Sequence, residues 1–154
     1  MTSLPGPANA EFARLMESSH QWLTGIPLIP TNTTVCNHAE WLYEKAPFGL
    51  LVHDTSSVPK FIYANKAAQS FFEFNWGEFI GMPSYLSAPS ANQSSRAELM
   101  QDVLEKGYTE GYRGLRKAKS GRHFWIESVT IWNLIDTENK IHGQAAAISH
   151  INPA

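Results

Sequence analysis

The chain has 154 residues, 43% of them hydrophobic and 17% charged, with a formal net charge of −2. A chain of this length is expected to form one domain with short extensions and to bury roughly 70% of its unfolded surface, so it needs neither a disulfide nor a metal to fold. The near-neutral balance gives no global pull toward nucleic acid or an anionic membrane, the single cysteine, Cys36, excludes an internal disulfide framework, and apolar runs such as Phe48 to Val52 fall far short of the ~20 residues of a membrane span.

Met1 to Asn9 lack the basic start and apolar core of a secretory signal, and with one cysteine the expectation is a cytoplasmic protein. Pro5, Gly6 and Pro7 make a loose lead-in. From Asn9 onward Phe12, Leu15, Met16, Trp22 and Leu23 form a helical stripe, with Ser19 in one slot, and Gly25 and Pro27 stop that helix. Residues 26–36 read as a connector. Asn37 followed by Glu40 starts a second helix that must end before Pro47.

Gly49 to Asp54 and Lys60 to Ala64 read as strands joined by a turn over Thr55 to Pro59. Asn65 then caps a helix through Glu73 whose buried face would be Ala67, Ala68, Phe71 and Phe72. Asn75 with Glu78 repeats the capping pattern around Phe79 and Ile80. Ser95 with Glu98 opens a longer helix, with Ala97, Met100, Val103 and Leu104 along one side and Gly107 at its end. Three strands complete the chain: Tyr108 to Ala118, His123 to Ile135 and Ile141 to Ile151. The first two are joined at Lys119-Ser120-Gly121, and Asp136 to Lys140 turns the chain before the third.

Along the last two strands, even positions carry Phe124, Ile126, Trp132, Ala146 and Ile148, and odd positions carry Trp125, Val129, Ile131, Ala145 and Ala147. A sheet with one solvated face alternates apolar and polar. This one is apolar on both sides and needs two covers. Internal helices supply one; the N-terminal helix, a partner subunit, or both supply the other. The expectation is a homodimer with that helix at or near the interface, built from Phe12, Leu15, Met16, Trp22, Trp125, Val129 and Ile131.

Ala46-Pro47-Phe48, His53-Asp54-Thr55, Tyr63-Ala64-Asn65-Lys66-Ala67-Ala68, Met82-Pro83-Ser84, Ser120-Gly121-Arg122, Trp132-Asn133-Leu134-Ile135-Asp136 and Gly143-Gln144-Ala145-Ala146, in this order over roughly residues 35–150, resemble the MEKHLA domain, a PAS-like module. The resemblance implies an α+β fold: a five-stranded antiparallel PAS sheet with helices on one face, here with an extra N-terminal amphipathic helix. It divides the chain into residues 1–34, helix and connector, and residues 35–154, the PAS-like domain. It also implies a regulatory, small-molecule-sensing or interaction role and names no ligand. By analogy with PAS strands, the even face (Phe124, Ile126, Ser128, Ala146, Ile148) would point at an internal pocket and the odd face outward.

Cysteinyl-flavin photochemistry of the light-oxygen-voltage type lacks its nucleophile, because Cys36 precedes the whole PAS-like region, and the glutamine used on the last strand falls at Ile148. Axial-histidine haem lacks a histidine on the helix Arg96 to Lys106. Non-covalent flavin or another small molecule is compatible with an aromatic pocket. The six histidines show no ligand spacing, so no metal site is expected. Cys36 beside a helix start is foremost a small hydrophobe, with redox sensing as a minor reading. Arg113, Arg116, Lys117, Lys119 and Arg122 read as a solvated hairpin, and nucleic acid is not an expected partner.

Asn65 is assigned the structural job of capping its helix and tying down the neighbouring loop. Gln144, Ser128 and Thr130 are polar residues on an otherwise apolar inner face and are the preferred ligand contacts, with Tyr63 and Trp132 as pocket walls. The leading reading is a stand-alone, dimeric, non-catalytic sensor or interaction domain that signals through a protein partner. Two alternatives stand beside it. One is a small enzyme using His53, His123 or Glu127, favoured by a buried, shifted histidine or carboxylate facing the pocket; the other is a pure dimerisation module with a filled core.

Overall fold

The computed structural model describes residues 4–154. The first three residues of the lead-in lie outside the described residues. Asn9 caps helix α1 (Ala10–Thr24) by accepting from the Phe12 N–H at 2.8 Å, and Gly25 ends it at φ 77°. Asn37 caps α2 (His38–Glu40), which runs on as a π-helical turn over Trp41–Lys45. Then come β1 (Gly49–His53), β2 (Phe61–Ala64), α3 (Lys66–Phe72), α4 (Trp76–Phe79), 3₁₀ turns at Ser84–Ser87 and Ser90–Asn92, and α5 (Gln93–Lys106). The chain closes with β3 (Tyr108–Lys117), β4 (His123–Ile135), β5 (Ile141–Ile148) and β6 (His150–Pro153).

All pairings are antiparallel, in the order β2-β1-β5-β4-β3, so the first two strands lie beside the last three. To the five expected strands the structure adds β6, which carries the line of β5 past Ser149 and pairs with the first part of β4. Asn65 locks this topology from the N-cap position just before α3. Its Oδ1 accepts from the N–H groups of Ala68 and Leu50, and its Nδ2 donates to the carbonyls of Leu42 and Phe48.

Both faces of the sheet are buried. Under α3, α4 and α5 lie Leu51, Phe61, Phe124, Ile126, Val129, Ile131 and Ile148, packed with Phe72, Phe79 and Val103. On the other side Leu50, Val52, Ile62, Tyr63, Trp132, Leu134, Ala145 and Ala147 lie beneath Ala13 and Met16 of α1, with Leu28, Ile29 and Leu42 beside them. The outer cover is therefore α1 of the same chain, so this sheet face needs no partner subunit to bury it. Ser19, the polar slot in the α1 stripe, donates to the Ile135 carbonyl (3.0 Å) and accepts from the Ile135 N–H (2.8 Å), pinning the helix to the end of β4.

A single inner and outer parity along β4 does not hold. Phe124 and Ile126 face the helices, and so do Val129 and Ile131. Ser128 stands between them at φ 52°, and Gly111 on the neighbouring β3 at φ 68°, where the β3–β4 register also shifts. One residue in the left-handed region re-aims every side chain after it. As a result Val129 and Ile131 are core rather than outer surface, Ser128 is exposed, and Trp132 lies under α1 with Thr130 on the same side.

Helix α5 also differs from expectation. It begins at Gln93 without a side-chain cap, and its inward stripe is Arg96, Leu99, Met100 and Val103. Those positions are spaced i, i+3, i+4, i+7, a regular helical face whose first member is an arginine.

Candidate functional site

The space between α5 and the sheet is the candidate site. Sheet register places His53 of β1, Gln144 of β5 and Asn133 of β4 side by side in one row on the inner face. His53 Nε2 lies 2.8 Å from Gln144 Oε1, and Gln144 Nε2 donates to Asn133 Oδ1 (3.1 Å) and to the Met100 carbonyl (2.9 Å). Asn133 Nδ2 donates to the carbonyls of Val103 and Leu104, which fixes its amide orientation. Because both Gln144 N–H groups are used, Oε1 must accept, so His53 carries its proton on Nε2. Its Nδ1 then accepts from the Ser84 hydroxyl at 3.1 Å.

Burial disfavours the charged imidazole, and the nearby Arg96 adds to this, so the His53 pKa is lowered to about 4. His53 is neutral at physiological pH. Arg96, only 8% exposed, projects from α5 into the same region. Among the described residues no carboxylate pairs with it and no hydrogen bond engages it. Burial and the charge of Arg116 lower its pKa to about 9, so it remains protonated.

Arg116 is itself 4% exposed, on the inner face of β3. It donates to the Leu115 carbonyl and to Tyr112 Oη. Gly114 makes room for this arrangement, since a Cβ there would fall 2.2 Å from Tyr112 Oη and 2.9 Å from Arg116 Nη1. Arg116 is thus no part of a solvated hairpin.

Two spaces meet at these residues. An inner cavity of about 40 Å³ is walled by Phe61, Phe72, Ile126, Val129, Ile131 and Ile148, with Arg96, Arg116, His53 and Gln144 at its polar end. A chamber of about 350 Å³ lies on the other side of His53, Arg96, Met100 and Gln144, between α5 and the β1–β2 turn. Ala97, Gln101 and Leu104 line it from the helix, and Asp54, Pro59, Ser84 and Tyr85 from the turn side. An inner cavity that size admits a few waters. A drug-sized ligand takes about 300–1,000 Å³, so the inner cavity is too small for one while the chamber falls at the lower end of that range.

Of the pocket residues expected from sequence, Ile126, Gln144, Ala146 and Ile148 line the inner cavity, and Phe124 lies in the core behind it. Tyr63 and Trp132 stand on the opposite face, because the shift at Ser128 reverses the one and strand β2 presents the other to α1. There Tyr63 packs against Phe12, Tyr43 and Trp76, and Trp132 Nε1 donates to the Met16 carbonyl at 3.3 Å. Of the residues assigned to a dimer interface, Phe12, Leu15 and Met16 pack onto the sheet in cis and Trp125 stacks under Arg113, whereas Trp22 is 78% exposed. Cys36 is exposed on the connector. His123 is exposed, and Glu127 is paired with Arg113 outside the cavity.

Arg96, Arg116, Asn133 and Ser84 are site residues that pattern reading passed over. Their only sequence signal is an arginine at the first apolar slot of α5 and an asparagine inside a strand of apolar residues.

An antiparallel sheet in the order 2-1-5-4-3, with short helices and one longer helix across a single face, defines the PAS-like class. The family model of the MEKHLA domain matches residues 10–152, taking in α1 as well as the sheet. The chain belongs to the MEKHLA domain family. Among solved structures it is similar to a PAS domain from Colwellia psychrerythraea, at 15% identity and TM-score 0.58, over 71% of this chain and 87% of that one. A light-oxygen-voltage domain studied with a flavin analogue matches at 17% identity and TM-score 0.57, over 70% and 77% of the two chains. A blue-light activated histidine kinase of Erythrobacter litoralis matches at 16% identity and TM-score 0.57, over 70% of this chain and 33% of the kinase. No curated protein sequence matches. At these identities the structural likeness speaks to fold alone. Among the described residues no helix is long and apolar enough to cross a membrane.

Proposed function

We propose that this domain is a non-catalytic PAS-like sensory and regulatory module that binds a small molecule between α5 and the sheet and passes the signal by changing a protein–protein contact. The observation that carries this reading is the chamber of about 350 Å³ that meets the inner cavity at His53, Arg96, Met100 and Gln144. A ligand there touches β1, β5 and α5 at once, so its arrival couples the middle of the sheet to the helix.

The feature favouring an enzyme is His53, buried and shifted at the pocket wall. Both its ring nitrogens are already engaged by Gln144 and Ser84, and a base with a pKa near 4 is weak at neutral pH. His123 and Glu127 lie outside the cavity and supply no second group. These facts support a binder over a catalyst.

The contact that reports the signal is placed in a homodimer. Trp22 is 78% exposed at a groove whose lining is mostly polar, with Glu11, Arg14, Asp136 and Asn139 around Leu15 and Ile135, and a twofold pair would seat each tryptophan in the other's groove among these groups. Sedimentation tests it: Trp22→Glu is expected to give monomer, and an unchanged dimer would remove this surface.

Native mass spectrometry of the protein as purified from cells tests the ligand reading. A defined extra mass, lost on denaturation, is the expected result. A bare polypeptide mass together with no response to any small molecule would turn the reading into an interaction module with a filled core.

A further inference from the structure

We propose that the chamber takes a small organic monocarboxylate, its carboxylate held by Arg96 and its tail lying between Met100 and Leu104 of α5 and Pro59 of the β1–β2 turn. This rests on the ligand-binding reading above and adds the class of ligand.

Arg96 carries the argument. Its side chain is more than nine-tenths buried, it lines both the inner cavity and the chamber, and among the described residues it has no carboxylate and no hydrogen-bond partner. Its guanidinium nitrogens open onto that space, since among the described residues the one enclosed side-chain atom without a hydrogen-bond partner is Tyr63 Oη. A largely desolvated cation with no counter-charge gains from an anion placed beside it. The other polar groups around it show that this interior otherwise satisfies what it buries: Ser84, His53, Gln144 and Asn133 form an unbroken row of hydrogen bonds. Arg116 is bonded to Leu115 and Tyr112 and adds positive potential behind Arg96. One group is left open, and a guanidinium offers a planar fork that a carboxylate fits with two parallel bonds.

The rest of the chamber selects among anions. His53 is neutral and spoken for, so it brings no second positive charge to the site. Asp54 lines the chamber and is ionised; although burial raises its pKa, the Ser56 hydroxyl and the Lys60 and Ser56 N–H groups hold it below the usual value. That carboxylate repels a second negative charge on the ligand, which disfavours dicarboxylates and phosphate. Ala97, Met100, Leu104 and Pro59 give the tail an apolar bed.

Thermal unfolding of the full chain with acetate, butyrate, hexanoate, butyramide, succinate and inorganic phosphate, at matched ionic strength, tests the assignment. Butyrate or hexanoate is expected to raise Tm, by ~5–10 °C as the ligand reaches a hundredfold excess over its Kd, while butyramide, succinate and phosphate do not. Arg96→Met is expected to lose the response while its unliganded Tm stays at or above the parent's. Met100→Trp, which fills the chamber and leaves the charge alone, is expected to lose it too. No rise with any monocarboxylate, or a rise that survives Arg96→Met, would overturn the proposal. An equal rise with phosphate or succinate would overturn the monocarboxylate assignment. A rise with butyramide in both proteins would overturn the role of Arg96 and leave the ligand-binding reading standing, so the two failures are told apart.

Discussion

His53 and Gln144 face each other on neighbouring strands, imidazole Nε2 2.8 Å from amide Oε1, and this bond is one link in a row running from Ser84 to the carbonyls at the end of α5. Each donor in the row points the same way. The row ties β1, β5 and β4 to the helix that covers them, at the level where the inner cavity meets the chamber.

Gln144→Leu is therefore expected to destabilise the domain. It strands the His53 Nε2–H and Asn133 Oδ1 and takes one donor from the Met100 carbonyl, while His53 keeps Ser84 and Asn133 keeps the Val103 and Leu104 carbonyls. At about 1–3 kcal/mol for each stranded atom the loss is about 3 kcal/mol in all. Urea denaturation measures it. A filled-core dimerisation module predicts the opposite sign, so a gain in stability would mean the row contributes nothing.

Acid should weaken the fold through His53. The folded pKa is about 4 against 6.5 for the free side chain, so between these values the unfolded chain binds a proton that the native state refuses. Stability from this source is complete above the free value and is lost as pH falls through that window, to a total of roughly 3 kcal/mol. His20, its pKa also lowered by burial, acts in the same direction. Unfolding free energy measured from pH 7 to pH 4 should fall steeply in the parent and less in His53→Gln. Parallel curves would remove His53 as the cause.

Tyr63→Phe is expected to stabilise the domain by about 1 kcal/mol. The Tyr63 hydroxyl is buried with no hydrogen-bond partner among the described residues, while its ring is packed by Phe12, Tyr43 and Trp76. Deleting the oxygen keeps the packing and removes the unmet group. A loss of stability in thermal melts would show that the hydroxyl has a partner after all.

Ser128 holds a backbone conformation that costs an L-residue roughly 1–2 kcal/mol. Ser128→Gly should recover part of this, whereas a branched Ser128→Val should cost at least ~1 kcal/mol although the site is exposed. If valine is tolerated as well as glycine, the strand does not need the kink to bring Val129 and Ile131 inward.

That kink marks where sequence reasoning stops. Helix starts at Asn9, Asn37, Asn65 and Asn75 are legible because each capping asparagine acts on its own next turn, and helix ends at Gly25 and Gly107 are legible for the same local reason. The two apolar faces of the sheet follow from counting. Which residue lies on which face does not, since nothing in Glu127-Ser128-Val129 announces a positive φ in mid-strand. The polar row was hidden differently. His53 lies 91 residues before Gln144, and these two meet Asn133 only through the register of three strands. Arg96 was hidden by its charge, which reads as exposed until the helix face is placed against the sheet.

An amide correlation NMR spectrum of the isotope-labelled protein, recorded before and after adding a low-molecular-mass cell extract, reads out directly whether a small molecule enters between α5 and the sheet. Shifts are expected to concentrate on β1, α5 and β5 around His53, Arg96, Met100 and Gln144, where the chamber meets the inner cavity. Shifts confined to exposed positions such as Trp22, or no shifts at all, would mean that the chamber holds no ligand.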